Sequence, residues 1–293
     1  MTPQTLDGRC CQRRLWLRVL CRLSSNGVTA ASAAFLLLVT LIAVLGPHFT
    51  PHSPYETDFD RVAELPSRQH WLGTDELGRD TLTRMIYGAR TSLFVGLSVQ
   101  TATSLIGTLV GLFAGYYGGI ADMVLMRAVD IVYSIPSFLL VVFMLSLFEP
   151  GVWSIVAILS FVNWPFTARL VRGQVLSIKE KEFILAIQSI GAGDGRVLCR
   201  HILPNIYDLI IVQFTLGIGY VIMAEAGLSF LGIGILSPHP SLGGMIAKGR
   251  EYFLGFPHIS LFPSFMLGLM IMALNFLGDG LCDALDPKSS RSH

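Results

Sequence analysis

The sequence predicts an all-α integral membrane protein with six transmembrane helices. Three observations lead there. Charged residues make up only 14% of the 293 residues, against 52% hydrophobic, and the mean hydropathy is +0.60; soluble domains carry about 25% charged residues. The apolar residues gather into six uncharged or nearly uncharged runs of 18 to 28 residues, lengths suited to a hydrocarbon core. The segments between the runs differ in charge balance, as loops on opposite sides of a membrane do.

Residues 1–26 form a basic segment, with Arg9, Arg13, Arg14, Arg18 and Arg22 against Asp7 alone. The first span, 27–46, follows. It is longer than the apolar region of a signal peptide and further spans follow it, so it reads as a retained helix with a cytoplasmic N-terminus. Residues 47–90 are polar, with seven acids and five bases, which suits the periplasmic side. Within them, Gly73 and Gly78 bracket a turn that includes Thr74, Asp75, Arg79 and Asp80. This turn reads either as a fold over the outer mouth or as a packed cap on the bundle.

The second span is 92–117. Gly107, Gly111 and Gly115 recur every fourth residue, a small-residue stripe that lets another helix approach closely. The third span is 131–148 and the fourth 151–168. Around the entry to the third, Arg127 and Asp130 have the i,i+3 spacing of a surface ion pair, with Asp122 nearby. Residues 169–204 carry six bases and three acids, a positive excess that belongs inside. Four crossings from a cytoplasmic N-terminus put this loop on the same side. The fifth span, 209–236, is interrupted by Glu225. After an outer segment of about 237–258 comes the sixth, 259–278, and a cytoplasmic tail from 279 to 293.

The inner loop has its own local signals. Ser177 and Glu180 have capping-box spacing, predicting a helix that starts near Ile178. Phe183, Ala186, Ile187 and Ile190 share one helical face. Gly191 suits the end of that helix. Asp194 suits the start of a second, short one, and Pro204 predicts a break before the next span. The unit reads as helix, glycine turn, short helix, proline. On physics alone it is either a ledge for a partner protein or an amphipathic helix resting on lipid.

Other chemistry is sparse. The five cysteines have no paired CxxC spacing, so neither a disulfide framework nor a zinc site is expected. His48, His52 and His70 are scattered along the outer segment, and no metal site is expected. A net charge of +1 gives no reason to expect a nucleic-acid partner. No GxxxxGK[ST] run is present, so no ATP site is expected in this chain. A carboxylate inside a span is costly, so Glu225 should be paired, protonated or facing water. It reads as a pathway contact, a partner contact, or a structural group near a helix end.

Gly191, the nine residues after it and His201-Ile202-Leu203-Pro204 resemble the EAA loop of bacterial ABC-importer permeases. His70 to Asp80, Tyr87 to Leu93, Glu225 to Gly232, Asn275 to Asp279 and Asp283 to Pro287 narrow the resemblance to the dipeptide, oligopeptide and nickel branch, and to the second of its two permeases. The resemblance implies the type I importer fold and half of a translocation pathway, completed by a second homologous permease. It implies two cytosolic ATPase subunits that bind ATP and Mg, an extracytoplasmic substrate-binding protein, and residence in the bacterial inner membrane. The ATPase-coupling loop would comprise Leu185, Ala186, Ile187, Gly191, Ala192, Gly193, Asp194, Arg196, Arg200, His201 and Pro204. Two departures stand out: the usual glutamate of the EAA triplet is Leu185, and His201 stands where isoleucine is usual. Di- or oligopeptides are the expected cargo, with nickel or a metal–chelator complex as the alternative. A stand-alone secondary transporter is the competing class, but neither an internal repeat nor a second deep acid supports it.

Overall fold

The computed structural model describes residues 26–285, and the basic N-terminal segment and the end of the tail lie outside them. Helix α1 spans Gly27–Phe49, α2 Thr81–Tyr117, α3 Gly119–Tyr133, α4 Ser137–Leu147 and α5 Val152–Lys179. The short α6 is Glu182–Ser189. Helix α7 runs Asp194–Phe230, α8 Leu242–Glu251 and α9 His258–Leu285. Among the described residues, α1, α2, α5, α7 and α9 are each long and apolar enough to cross a membrane, and the bent pair α3/α4 would make a sixth span.

Several helices run further than the uncharged runs. Helix α2 starts at Thr81, well before residue 92, because the Asp80 carboxylate accepts the Thr83 N–H at 2.8 Å and caps the first turn. Helix α5 continues past residue 168 to Lys179, so Ile178 lies inside it and no capping box forms at Ser177 and Glu180. The expected straight span at 131–148 is broken instead. Pro136 cannot continue the helix and biases Ile135 away from α geometry, so α3 and α4 meet at 82°.

Helix α7 ends at Phe230 rather than 236. Gly232, at φ +80°, closes it; the Ile233 N–H reaches the Leu228 carbonyl and the Gly232 N–H that of Ser229, both at 3.1 Å. The outer segment that follows contains α8, which the sequence did not announce. Ser241 caps it by accepting the Gly244 N–H at 3.1 Å.

The most extensive helix contact is α2 against α5. A Cβ on Gly107 would lie 2.5 Å from Thr167 Cβ, one on Gly111 2.7 Å from Val171 Cβ, and one on Gly115 2.8 Å from Val175 Cβ. The four-residue rise is the same on both helices, so their backbones stay close over more than two turns. Three buried clusters surround this seam. One lies between α2, α4, α5 and α7, around Val95, Ile155 and Ile158. One joins the ends of α2 and α5 to α6 and the start of α7, around Tyr116, Val175, Ile184 and Ile202. The third packs α1, α2, α7 and α9 together, around Leu36, Ile222 and Met270.

Candidate functional site

At one end of the bundle, α6 and the turn after it form a ledge. Ile184 is fully buried beneath α6, while Phe183, Leu185, Ala186 and Ile190 face outward; Ile190 is 84% exposed. The expected face of Phe183, Ala186, Ile187 and Ile190 is therefore not the packed one. The register turns Ile184 inward, with Ile187 and Gln188 partly covered. Gly191 closes the helix at φ +82°, with its N–H on the Gln188 carbonyl at 3.0 Å and that of Ala192 on Ile187 at 3.3 Å.

The next helix begins differently from expectation. Gly193 holds the N-cap position of α7, so Asp194 is not the cap. Its carboxylate instead accepts a hydrogen bond from the Tyr116 hydroxyl at 2.8 Å. Lys179 Nζ donates to the Tyr116 carbonyl. Tyr116 thus joins the ends of α2 and α5 to the start of α7. Arg196, Arg200 and Pro204 are exposed and His201 is half-buried. Pro204 does not break the helix: Val197–Ile202 widens into a π turn, with the Leu203 N–H reaching Leu198. The wider turn lets the chain carry a proline without interruption.

Two ion pairs bind α3 to α5 near the same end. Arg172 grips Asp122 with two nitrogens, Nη2 lying 2.6 Å from Oδ2. Arg169 Nη2 is 2.6 Å from Asp130 Oδ1, with its guanidinium 4.3 Å from the centre of the Tyr133 ring. The expected Arg127–Asp130 pair gives way to these cross-helix partners.

Glu225 is fully buried in α7. Ser92 Oγ donates to one carboxylate oxygen at 3.0 Å and Ser229 Oγ to the other at 2.9 Å. Ser229 also accepts the Ile235 N–H at 3.0 Å, tying the end of α7 to the loop after it. Within this chain the carboxylate is therefore enclosed and held at both oxygens.

At the opposite end, the turn at 73–80 is a packed cap. Gly73 and Gly78 both have positive φ, and a Cβ on either would strike the Glu64 or Asp58 carbonyl, at 2.3 and 1.7 Å. Thr74 pairs with Asp80 in a single antiparallel bridge. The buried Asp75 accepts from the Leu77 and Arg79 N–H groups at 2.9 and 3.0 Å and pairs with Arg79 Nε at 2.7 Å. Arg79 also reaches Glu76, at 2.8 Å. Arg84 Nε lies 3.1 Å from Asp75 without hydrogen-bond alignment, and its Nη1 donates to the Pro54 carbonyl at 2.8 Å. The histidines of this region are not all scattered. His52 and His70 lie with ring centroids 4.7 Å apart, and His70 Nδ1 is 2.9 Å from Asp80 Oδ1. Only folding reveals this cluster, because His52 is 18 residues before its neighbour.

Among the described residues, the helices long and apolar enough to cross a membrane and the exposed apolar ledge at one end mark a multi-span membrane protein. The chain belongs to the family of binding-protein-dependent transport system inner membrane components, which it matches over residues 107–291; residues 14–66 match the N-terminal TM domain of oligopeptide transport permease C. It is 44% identical over 271 residues to a dipeptide transport system permease protein of Bacillus subtilis, covering 92% of this chain and 85% of that one. A dipeptide transport system permease protein of Alkalihalophilus pseudofirmus is 40% identical, with 93% and 90% covered. A glutathione transport system permease protein of Pectobacterium atrosepticum is also 40% identical, with 94% and 91% covered. Among solved structures, a chain of the inward-facing MetNI methionine ABC transporter superposes with a TM-score of 0.57 at 21% identity, covering 70% of this chain and 97% of that one. The fold is therefore that of a type I importer permease.

Proposed function

We propose that this chain is one of two permeases in an ATP-driven importer of di- or oligopeptides, forming half of the pathway across the bacterial inner membrane. The observation that carries the reading is the ledge. An apolar, exposed α6 and a Gly191 turn sit on a buried foundation that reaches α2, α5 and α7 at once through Ile184 and Tyr116. A push on such a ledge is transmitted to three spans rather than absorbed by a loose loop. The partner fitted to it is a cytosolic ATPase that presents an apolar groove, with Arg196 and Arg200 available to acids on its rim. ATP and Mg belong to that partner.

The positive excess of 169–204 supports a cytoplasmic position for the ledge. Six crossings then bring both termini to the cytoplasmic side and the 47–90 cap to the periplasm, where an extracytoplasmic binding protein would deliver cargo. A second, homologous permease completes the pathway. The peptide assignment is supported by relatives whose names are those of dipeptide and glutathione permeases.

Co-expression with candidate permease, ATPase and binding-protein partners tests this. The ATPase should co-purify with the wild-type chain and be lost with Ile190→Asp, and vesicles should take up dipeptides when ATP and the binding protein are present. Uptake of nickel and not of peptides would overturn the cargo; ATPase retention by both Ile190→Asp and a deletion of 188–200 would overturn the ledge.

A further inference from the structure

The cap over the head of α2 brings together three side chains that suit a metal ion. His52, His70 and Asp80 each offer a ligand atom, and these atoms all lie within 4.8 Å of one another. Each is held from a different direction. The His70 backbone is pinned by the Ser67 N–H on its carbonyl at 2.8 Å and by its own N–H on Ser67 Oγ at 3.1 Å. Asp80 keeps its second oxygen on the Thr83 N–H, so only Oδ1 faces the histidines. The strap carrying His52 is fastened two residues later by Arg84 at the Pro54 carbonyl. His70 and Asp80 are buried and His52 half-buried, so the cluster is enclosed on one side and open on the other.

We propose that His52, His70 and Asp80 form a binding site for a divalent transition-metal ion of the Zn2+ class, which clamps the strap after α1 to the head of α2. Two imidazoles and a carboxylate suit Zn2+, Cu2+ or Ni2+, whereas Mg2+ favours an all-oxygen shell. Binding at His70 Nδ1 needs that nitrogen without its proton. The ion replaces the hydrogen bond between His70 Nδ1 and Asp80 Oδ1, and the ring keeps its single proton on Nε2. Water or the Gln69 carbonyl, 3.3 Å from His52 Nε2, is available as a further ligand. Asp80 then has two jobs, capping α2 through one oxygen and ligating through the other.

The test is equilibrium dialysis of Zn2+ against the full-length chain in detergent, free of any histidine tag and with all five cysteines changed to serine to remove thiol binding. The wild-type site should take up a single saturable equivalent and raise the Tm, while Mg2+ does neither. His52→Gln should weaken Zn2+ binding by at least about tenfold with an unchanged metal-free Tm. Asp80→Asn keeps a capping side chain and should lose the ion as well. Absence of stoichiometric Zn2+ binding in the wild type would overturn the site, as would binding that survives both His52→Gln and Asp80→Asn. In either case the cluster is a packed hydrogen-bond arrangement only.

Discussion

The hydroxyl of Tyr116, the penultimate residue of α2, donates to the carboxylate of Asp194, the first residue of α7, at 2.8 Å. These residues are 78 positions apart, and the bond fixes the turn after α6 to the membrane helices. Gln188 approaches the same hydroxyl at 3.4 Å from within α6. If the ledge passes motion from an ATPase to the spans, this is a point through which it passes. Tyr116→Phe removes a bond worth about 1 kcal/mol but leaves the apolar ring in place. The expected outcome is an ATPase that still co-purifies but whose hydrolysis no longer tracks peptide uptake, read as a fall in peptide transported per ATP.

The seam between α2 and α5 should resist the smallest enlargement. Gly111→Ala puts a methyl 2.6 Å from the Ala168 carbonyl and 2.7 Å from Val171 Cβ. Overpacking of this kind costs about 1–3 kcal/mol. Gly173 of α5 has open space around its Cβ position, so Gly173→Ala serves as the control. Thermal unfolding of the purified chain in detergent should show a lower Tm for the first and an unchanged or higher Tm for the second.

Glu225 should behave as a structural group. Glu225→Ala leaves the Ser92 and Ser229 hydroxyls without their acceptor in a buried place, at a cost of about 1–3 kcal/mol. It should lower the Tm and the uptake together, and Glu225→Gln, which keeps an acceptor, should recover most of both. Full transport by Glu225→Ala at normal protein levels would contradict this role.

The Arg172–Asp122 pair ties α3 to α5 and should be recoverable by exchange. Arg172→Asp and Asp122→Arg should each lower the Tm of the chain, while the double exchange restores part of the loss. Tm values across the double-mutant cycle measure the coupling. Independent, additive effects would show that the pair contributes no coupling.

Much of this architecture was legible in the sequence because it follows from local rules. Uncharged runs mark the spans, four-residue glycine spacing marks the α2 face that meets α5, and Gly191 marks the end of α6. What escaped depends on contacts between distant residues. The charged Arg84 and Arg90 hid the true start of α2; only folding shows Arg84 buried beside Asp75. The capping-box spacing at Ser177 and Glu180 was overridden because Val175 and Ile178 pack in one cluster with Val171, Ile184 and Val197, which keeps α5 helical to Lys179. Asp194 looked like a cap but serves Tyr116. Helix α8 is short and only weakly apolar, so length and hydropathy passed it over. The His52–His70–Asp80 cluster joins residues that no spacing motif connects.

The most direct measurement is dipeptide uptake into sealed vesicles holding this chain, its partner permease and the ATPases. ATP would be supplied on the side of the ledge and the binding protein on the side of the 47–90 cap. The expected result is accumulation that requires ATP, the binding protein and this chain together, and that collapses with Ile190→Asp. Peptide accumulation by this chain alone, driven by a proton gradient without ATP, would contradict the account.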